Sequence, residues 1–127
     1  MKARSVLRAA LVFFVATPAL AADWVLVERS ADQQDTSYVD KSSIIASGSI
    51  RRYWARTDFI SNPDGWQRVL ALWENNCATG ENRLLQATVY KVDGSNNSVP
   101  TSGAQWQYVT PETVEDSIHK YICKGES

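Results

Sequence analysis

The first hydrophobic feature of the chain is an unbroken apolar run at residues 9–16, close to its beginning. Three basic residues precede this run, and a small-residue sequence, Ala-Leu-Ala, follows it at 19–21. This arrangement is typical of a secretory signal peptide. A membrane anchor would need about 20 apolar residues, and Asp23 ends the run before that length is reached. We therefore expect residues 1–22 to be a signal peptide and residues 23–127 to form the mature domain.

Most of the mature part alternates between apolar and polar residues, as half-buried strands do. Residues 50–59 alternate in this way, and residues 66–76 alternate again after the turn signal Asn-Pro-Asp-Gly at 62–65. Proline and glycine favour a tight turn here, so the two stretches predict a hairpin. A third long strand is predicted over 83–92. Shorter strands are predicted at 24–28, 38–39, 99 and 106–109.

The last periodic stretch predicts a helix. Val114, Ile118 and Ile122 are spaced at i, i+4 and i+8, which places them on one stripe of a helix. Thr110 is expected to cap this helix and Pro111 to be its first residue, where a missing N–H does no harm. One apolar stripe means one buried face. The sequence therefore predicts an α+β fold, an antiparallel sheet of about six strands with a single C-terminal helix on one face.

The chain has two cysteines, Cys77 and Cys123, 46 positions apart. Export would place both in an oxidising compartment, where disulfides persist. A redox-active pair is the alternative, but catalytic dithiols are closely spaced and these two are not. We therefore predict a structural disulfide that ties the helix to the sheet.

Composition excludes several classes of function. The chain has 13 Lys+Arg against 14 Asp+Glu with no basic block, so no nucleic-acid partner is expected. Removal of the three basic residues of the signal leaves 10 against 14, a net charge of −4. With one histidine and two cysteines, no metal site and no cofactor are predicted. The single histidine, His119, is interpreted as a solvated helix residue. No catalytic motif occurs, so we expect a protein that is not an enzyme.

Arginines concentrate on the predicted hairpin. A patch with a neighbouring tryptophan is expected from Arg51, Arg52, Trp54, Arg56 and Arg68. Arginine next to aromatic side chains is typical of surfaces that contact proteins and anionic groups. The alternative is a solvated sheet face whose arginines pair with Asp58 and Glu74. Both interpretations stay open. Of the remaining tryptophans, we expect Trp24, Trp73 and Trp106 in the core.

Short signatures follow one another along the whole mature part. In order they are Trp24-Val25-Leu26-Val27, Tyr38-Val39-Asp40, Ser43-Ile44, Gly48, Arg51-Arg52-Tyr53-Trp54, Thr57-Asp58-Phe59, Glu74-Asn75-Asn76-Cys77, Arg83, Tyr90, Trp106, Val109-Thr110-Pro111-Glu112-Thr113 and Cys123. This order resembles the surface-adhesin protein E family of bacterial exported proteins. The resemblance implies a curved antiparallel sheet with a C-terminal helix held by the disulfide.

The resemblance also implies a surface protein that binds host extracellular-matrix or serum proteins and forms a homodimer. No cysteine lies near the end of the predicted signal, so no lipid anchor and no stable membrane attachment are expected. A periplasmic structural or stress-related protein without host contact is therefore the alternative. A third hypothesis is a carrier that binds a small ligand on the concave side of the sheet. An enzyme is the least supported hypothesis.

Overall fold

The computed structural model describes residues 21–101 and 104–124. The predicted signal peptide lies outside these residues except for its last two positions. No helix in the described part of the chain is long and apolar enough to span a membrane.

The described chain forms one antiparallel sheet and one helix. The elements are β1 (Trp24–Arg29), β2 (Asp35–Asp40), a 3₁₀ turn (Lys41–Ser43), β3 (Ile45–Ser47), β4 (Ile50–Phe59), β5 (Trp66–Asn76), β6 (Glu81–Lys91), β7 (Asn96–Pro100), β8 (Gln107–Tyr108) and α1 (Val114–Ile122). Six strands follow the order β1-β2-β4-β5-β6-β7, while β3 pairs with β4 and β8 pairs with β6. The predicted antiparallel sheet of about six strands is confirmed by this main path.

The central hairpin matches its sequence prediction, because β4 and β5 have the predicted bounds. The turn between them is closed by a bond from the Gly65 amide to the carbonyl of Asn62, 3.0 Å long. The third long strand begins at Glu81 and not at Arg83 as predicted. The turn before it is shorter than expected, because the side chain of Asn76 accepts bonds from the amides of Ala78 and Thr79 and Gly80 completes the reversal.

The helix begins three residues later than predicted. Thr113, and not Thr110, is the N-cap, and its hydroxyl accepts a 3.2 Å bond from the amide of Asp116. The Asp116 carboxylate in turn accepts a 3.0 Å bond from the amide of Glu112. This reciprocal pair satisfies two amide donors at the start of the helix. Glu112 has a positive φ of 62°, so the backbone at this residue is not helical.

The core lies between α1 and the sheet. Val39, Tyr53 and Ala55 supply its sheet side, and Ile118 and Ile122 supply its helix side. Burial of each isoleucine side chain stabilises the docked helix by about 2 kcal/mol. Cys77 follows β5 and Cys123 caps the end of α1, and their disulfide joins Cα atoms 5.5 Å apart. The predicted disulfide and the α+β architecture are therefore confirmed.

Candidate functional site

The sheet face that points away from α1, here called the outer face, carries two charged clusters. Side chains alternate along each strand, so positions paired across β4, β5 and β6 point to the same side. Arg52 is opposite Glu74, and Glu74 is opposite Arg83. The register therefore places these three side chains in one row across the sheet.

In the first cluster, two arginines share one carboxylate. Arg83 donates to one oxygen of Glu74 at 2.6 and 2.8 Å, and Arg52 donates to the other at 3.1 and 3.3 Å. The guanidinium of Arg83 also lies 4.6 Å from the ring centre of Trp106. Burial of Glu74 opposes ionisation, yet the hydrogen bonds from Arg83 and Arg52 hold the pKa of its carboxyl below the ordinary value. Glu74 is thus ionised and fixed at neutral pH.

The second cluster lies at the other end of the same strands. Asp58 accepts a 2.8 Å bond from Arg68 and forms a 3.3 Å ion pair with Arg56. The guanidinium of Arg56 lies 4.3 Å from the ring centre of Tyr38 and 5.0 Å from that of Trp24. Cation–π contacts of this kind, together with the ion pair, hold Arg56 in place. Its side chain is 17% exposed, whereas that of Arg68 is 47% exposed.

The structure brings four of the five predicted patch residues to the outer face. They are Arg52, Trp54, Arg56 and Arg68. Arg51 points to the opposite side, because it pairs in register with Asn75, and its guanidinium donates to the carbonyl of Gly48 at 2.7 Å. The ion pairs with Asp58 and Glu74 that formed the alternative interpretation are present.

The prediction that Trp24 and Trp106 belong to the core is wrong. Trp73 packs against the buried core cluster, but Trp24 and Trp106 stack on arginines instead. Their arginine partners come from other strands, 32 and 23 positions away (56 − 24 and 106 − 83). The sequence shows that an aromatic residue lies in or beside a strand. It does not show which side chain from another strand stacks on the aromatic ring.

The sequence model of the surface-adhesin protein E family matches residues 24–124. The chain belongs to this family. A comparison with curated protein sequences found no match.

Solved structures of protein E from Haemophilus influenzae share the adhesin E fold with this chain. Crystal form II of that protein is 17% identical with a TM-score of 0.57, and the match covers 83% of this chain and 93% of that chain. A structure of protein E from non-typeable Haemophilus influenzae is 16% identical with a TM-score of 0.53, and the match covers 84% and 80%. At these identities the likeness establishes the fold alone.

The other face of this adhesin E domain holds a buried polar network, and His119 belongs to it. Asn75 is 0% exposed, and its amide accepts a 2.8 Å bond from the Tyr53 hydroxyl. The amide nitrogen of Asn75 lies 2.8 Å from Nδ1 of His119. The prediction that His119 is a solvated helix residue is therefore wrong, because this side chain joins the helix to β5.

Burial changes the titration of this network. It lowers the pKa of His119 below the ordinary value, and the nearby carboxylate of Asp116 opposes that shift only in part. Burial also raises the pKa of the Tyr53 hydroxyl, so Tyr53 stays neutral. Within residues 21–101 and 104–124, no group of three or more His, Cys, Asp or Glu side chains is placed to hold a metal ion.

Proposed function

We propose that this chain is an exported, non-enzymatic adhesin-like protein whose outer face contacts an acidic surface of a host extracellular-matrix or serum protein. Membership of the surface-adhesin protein E family supports the adhesin part of the proposal. The observation that carries the choice of surface is its charge. On the outer sides of β4, β5 and β6, four arginines stand against three carboxylates (Asp58, Glu74 and Glu81), in a domain whose expected net charge is negative.

The arrangement of these arginines suits protein recognition. Arg52 and Arg68 have half-exposed side chains, at 51% and 47%, while their carboxylate partners hold them in position. Side chains that are ordered before binding lose less conformational entropy when a partner docks. Arginine and tryptophan are also the residues that most often dominate the energy of protein interfaces. Trp54 lies between the two clusters on β4 and supplies an aromatic contact there.

The test is binding of the purified mature domain to immobilised matrix and serum proteins, measured by biolayer interferometry. Arg52→Glu/Arg68→Glu reverses two outer-face charges and should weaken binding more than about tenfold, with a smaller salt dependence. Lys91→Glu/Lys124→Glu changes the net charge equally at exposed positions off this face, and it should keep binding within about threefold. Equal losses in the two double variants would contradict a specific outer-face site.

Location is tested separately. Labelling of intact cells with a membrane-impermeant reagent should modify the protein if it reaches the surface. A protein labelled only after the outer membrane is opened would favour the periplasmic alternative and contradict host contact. Sedimentation of the mature domain measures the homodimer that the family resemblance implies.

A further inference from the structure

A groove runs along the helix side of the sheet, next to the first turn of α1. Three adjoining hollows of about 110, 290 and 300 Å³ form it, and Trp73 and Asn82 line all three. The smallest lies under Val114 and Ile118, and the two larger ones border β8 at Gln107. We call this surface the Trp73 groove. Its larger hollows are at the lower end of the range for small-molecule sites.

The polar groups in the Trp73 groove have unused hydrogen-bonding capacity. Asn82 and Gln107 are directly paired in register, so their side chains lie next to each other across β6 and β8. Glu115 lines the two hollows nearest to the helix. Among the residues that the structure describes, the side chains of Asn82, Gln107 and Glu115 make no hydrogen bond and no ion pair with another group.

The charges around the groove argue against an anionic ligand. Glu115 would repel an anion at one end. Arg83, which lines the hollow at the other end, is already bound to Glu74 and stacked on Trp106. A carboxamide offers a donor and an acceptor side by side, and it therefore suits a neutral ligand with neighbouring hydroxyl groups.

We propose that the Trp73 groove binds a neutral saccharide, with a sugar ring against the indole of Trp73 and its hydroxyls bonded to Asn82 and Gln107. The apolar C–H face of a sugar ring matches an aromatic surface, and its hydroxyls match the two amides. The larger hollows share Trp73, Asn82 and Gln107, so two linked sugar units can occupy adjacent positions. Trp73, Asn82 and Gln107 lie on the opposite side of the sheet from the outer-face arginines, and only Arg83, at the edge of one hollow, borders both surfaces.

The experiment uses NMR titration of the mature domain with lactose, N-acetyllactosamine and N,N′,N″-triacetylchitotriose, up to about 10 mM. The indole resonance of Trp73, assigned with Trp73→Phe, should shift with at least one of these sugars. Gln107→Ala and Asn82→Ala should each weaken binding about tenfold, the effect of losing one hydrogen bond. Glu115→Gln should change it less than about threefold, because the ligand is neutral. Gln67→Ala, an exposed amide outside the groove, is the matched control.

Three outcomes would overturn the proposal. The first is that no sugar in this panel shifts the Trp73 resonance. The second is that binding is unchanged in the Gln107→Ala protein, whose altered side chain is exposed and on a two-residue strand. The third is that spermidine, added as a cationic probe, shifts the Trp73 resonance, that Glu115→Gln abolishes this shift, and that no sugar binds. This result would identify a cation site. Arg68→Glu, which changes the outer-face cluster that shares no residue with the groove, should leave sugar binding intact, so failure of the outer-face proposal and failure of this one are distinguishable.

Discussion

The disulfide is expected to contribute a large part of the stability of this domain. It joins residues 46 positions apart, Cys77 after the last residue of β5 and Cys123 at the end of α1. In the chain-entropy treatment, a loop of this size removes about 13 to 14 cal/mol/K of entropy from the unfolded state, or about 4 kcal/mol at 25 °C. Small domains have total unfolding free energies of about 5 to 15 kcal/mol. Loss of this one bond should therefore remove between a quarter and most of the stability.

The assay is equilibrium unfolding in urea of the oxidised wild type, the reduced wild type and Cys77→Ala/Cys123→Ala. We expect the free energy of unfolding to fall by about 4 kcal/mol in both proteins that lack the bond. The slope against urea should rise, because an unfolded chain without a cross-link exposes more surface. The melting temperature should fall by about 15 to 30 °C. At low urea the helix should stay docked through Ile118 and Ile122.

Comparison of the two proteins that lack the bond separates two contributions to stability, that of the covalent cross-link and that of the packing of the sulfur atoms. The reduced wild type keeps both sulfurs, whereas the double alanine variant loses them. A free energy of unfolding within about 1 kcal/mol of the oxidised protein would refute the reasoning, because the chain-entropy treatment requires several times that value. Such a result would mean that the unfolded chain stays compact without the cross-link.

Three further predictions concern single side chains. Thr113→Ala should destabilise the domain by about 1 kcal/mol, measured by urea unfolding, because the helix loses its N-cap. The exposed control Thr79→Ala should change stability by less than about 0.5 kcal/mol. Glu74→Ala should lower the free energy of unfolding by about 2 kcal/mol, since it leaves Arg52 and Arg83 without their shared partner. Lys120→Ala, which breaks an exposed ion pair, should lower it by less than about 0.5 kcal/mol. Equal losses would contradict this view of the cluster. Burial lowers the pKa of His119 in the folded state, so the unfolded chain takes up this proton first as the pH falls below about 6.5, and stability should decrease from there down to the folded pKa. In His119→Gln, the free energy of unfolding should depend less on pH between about pH 6.5 and 5, which lies above the range where ordinary carboxylates titrate. An unchanged pH dependence would exclude His119 as the cause of the decrease.

The long central strands and the helix stripe could be predicted because each depends on local pattern. Alternation over β4 and β5, with a turn signal between them, defines a hairpin without knowledge of the rest of the chain. The start of the helix was harder to predict, since Thr110-Pro111 and Thr113 both carry helix-start signals. The structure shows that the bonds between Thr113, Asp116 and Glu112 decide between them. Two overlapping signals cannot be ranked from propensity alone.

The candidate site could be predicted only in part, because its contacts depend on register. The alternation rule separates Arg51 from Arg52, since adjacent strand residues point to opposite faces. A register shift between β5 and β6 leaves Leu85 without a partner and brings Arg83 opposite Glu74. A shift of this kind moves every later side chain to the other face, and no local signal in the sequence marks it. His119 bonds to Asn75, which is 44 positions away, and no local signal in the sequence predicts this contact either.

Two consecutive residues of β5 explain why the two proposed binding surfaces are separable. Glu74 points to the outer face and holds Arg52 and Arg83, while Asn75 points to the helix side and joins Tyr53 to His119. Asn75 is completely buried and bonded at both its amide oxygen and its amide nitrogen, so it has little room to shift when its neighbour is changed. A substitution at Arg56, Asp58 or Arg68 should therefore alter the outer face without moving α1 or the Trp73 groove, because Arg83 alone borders both surfaces. The pleat of a single strand thus allows each surface to be tested without disturbing the other.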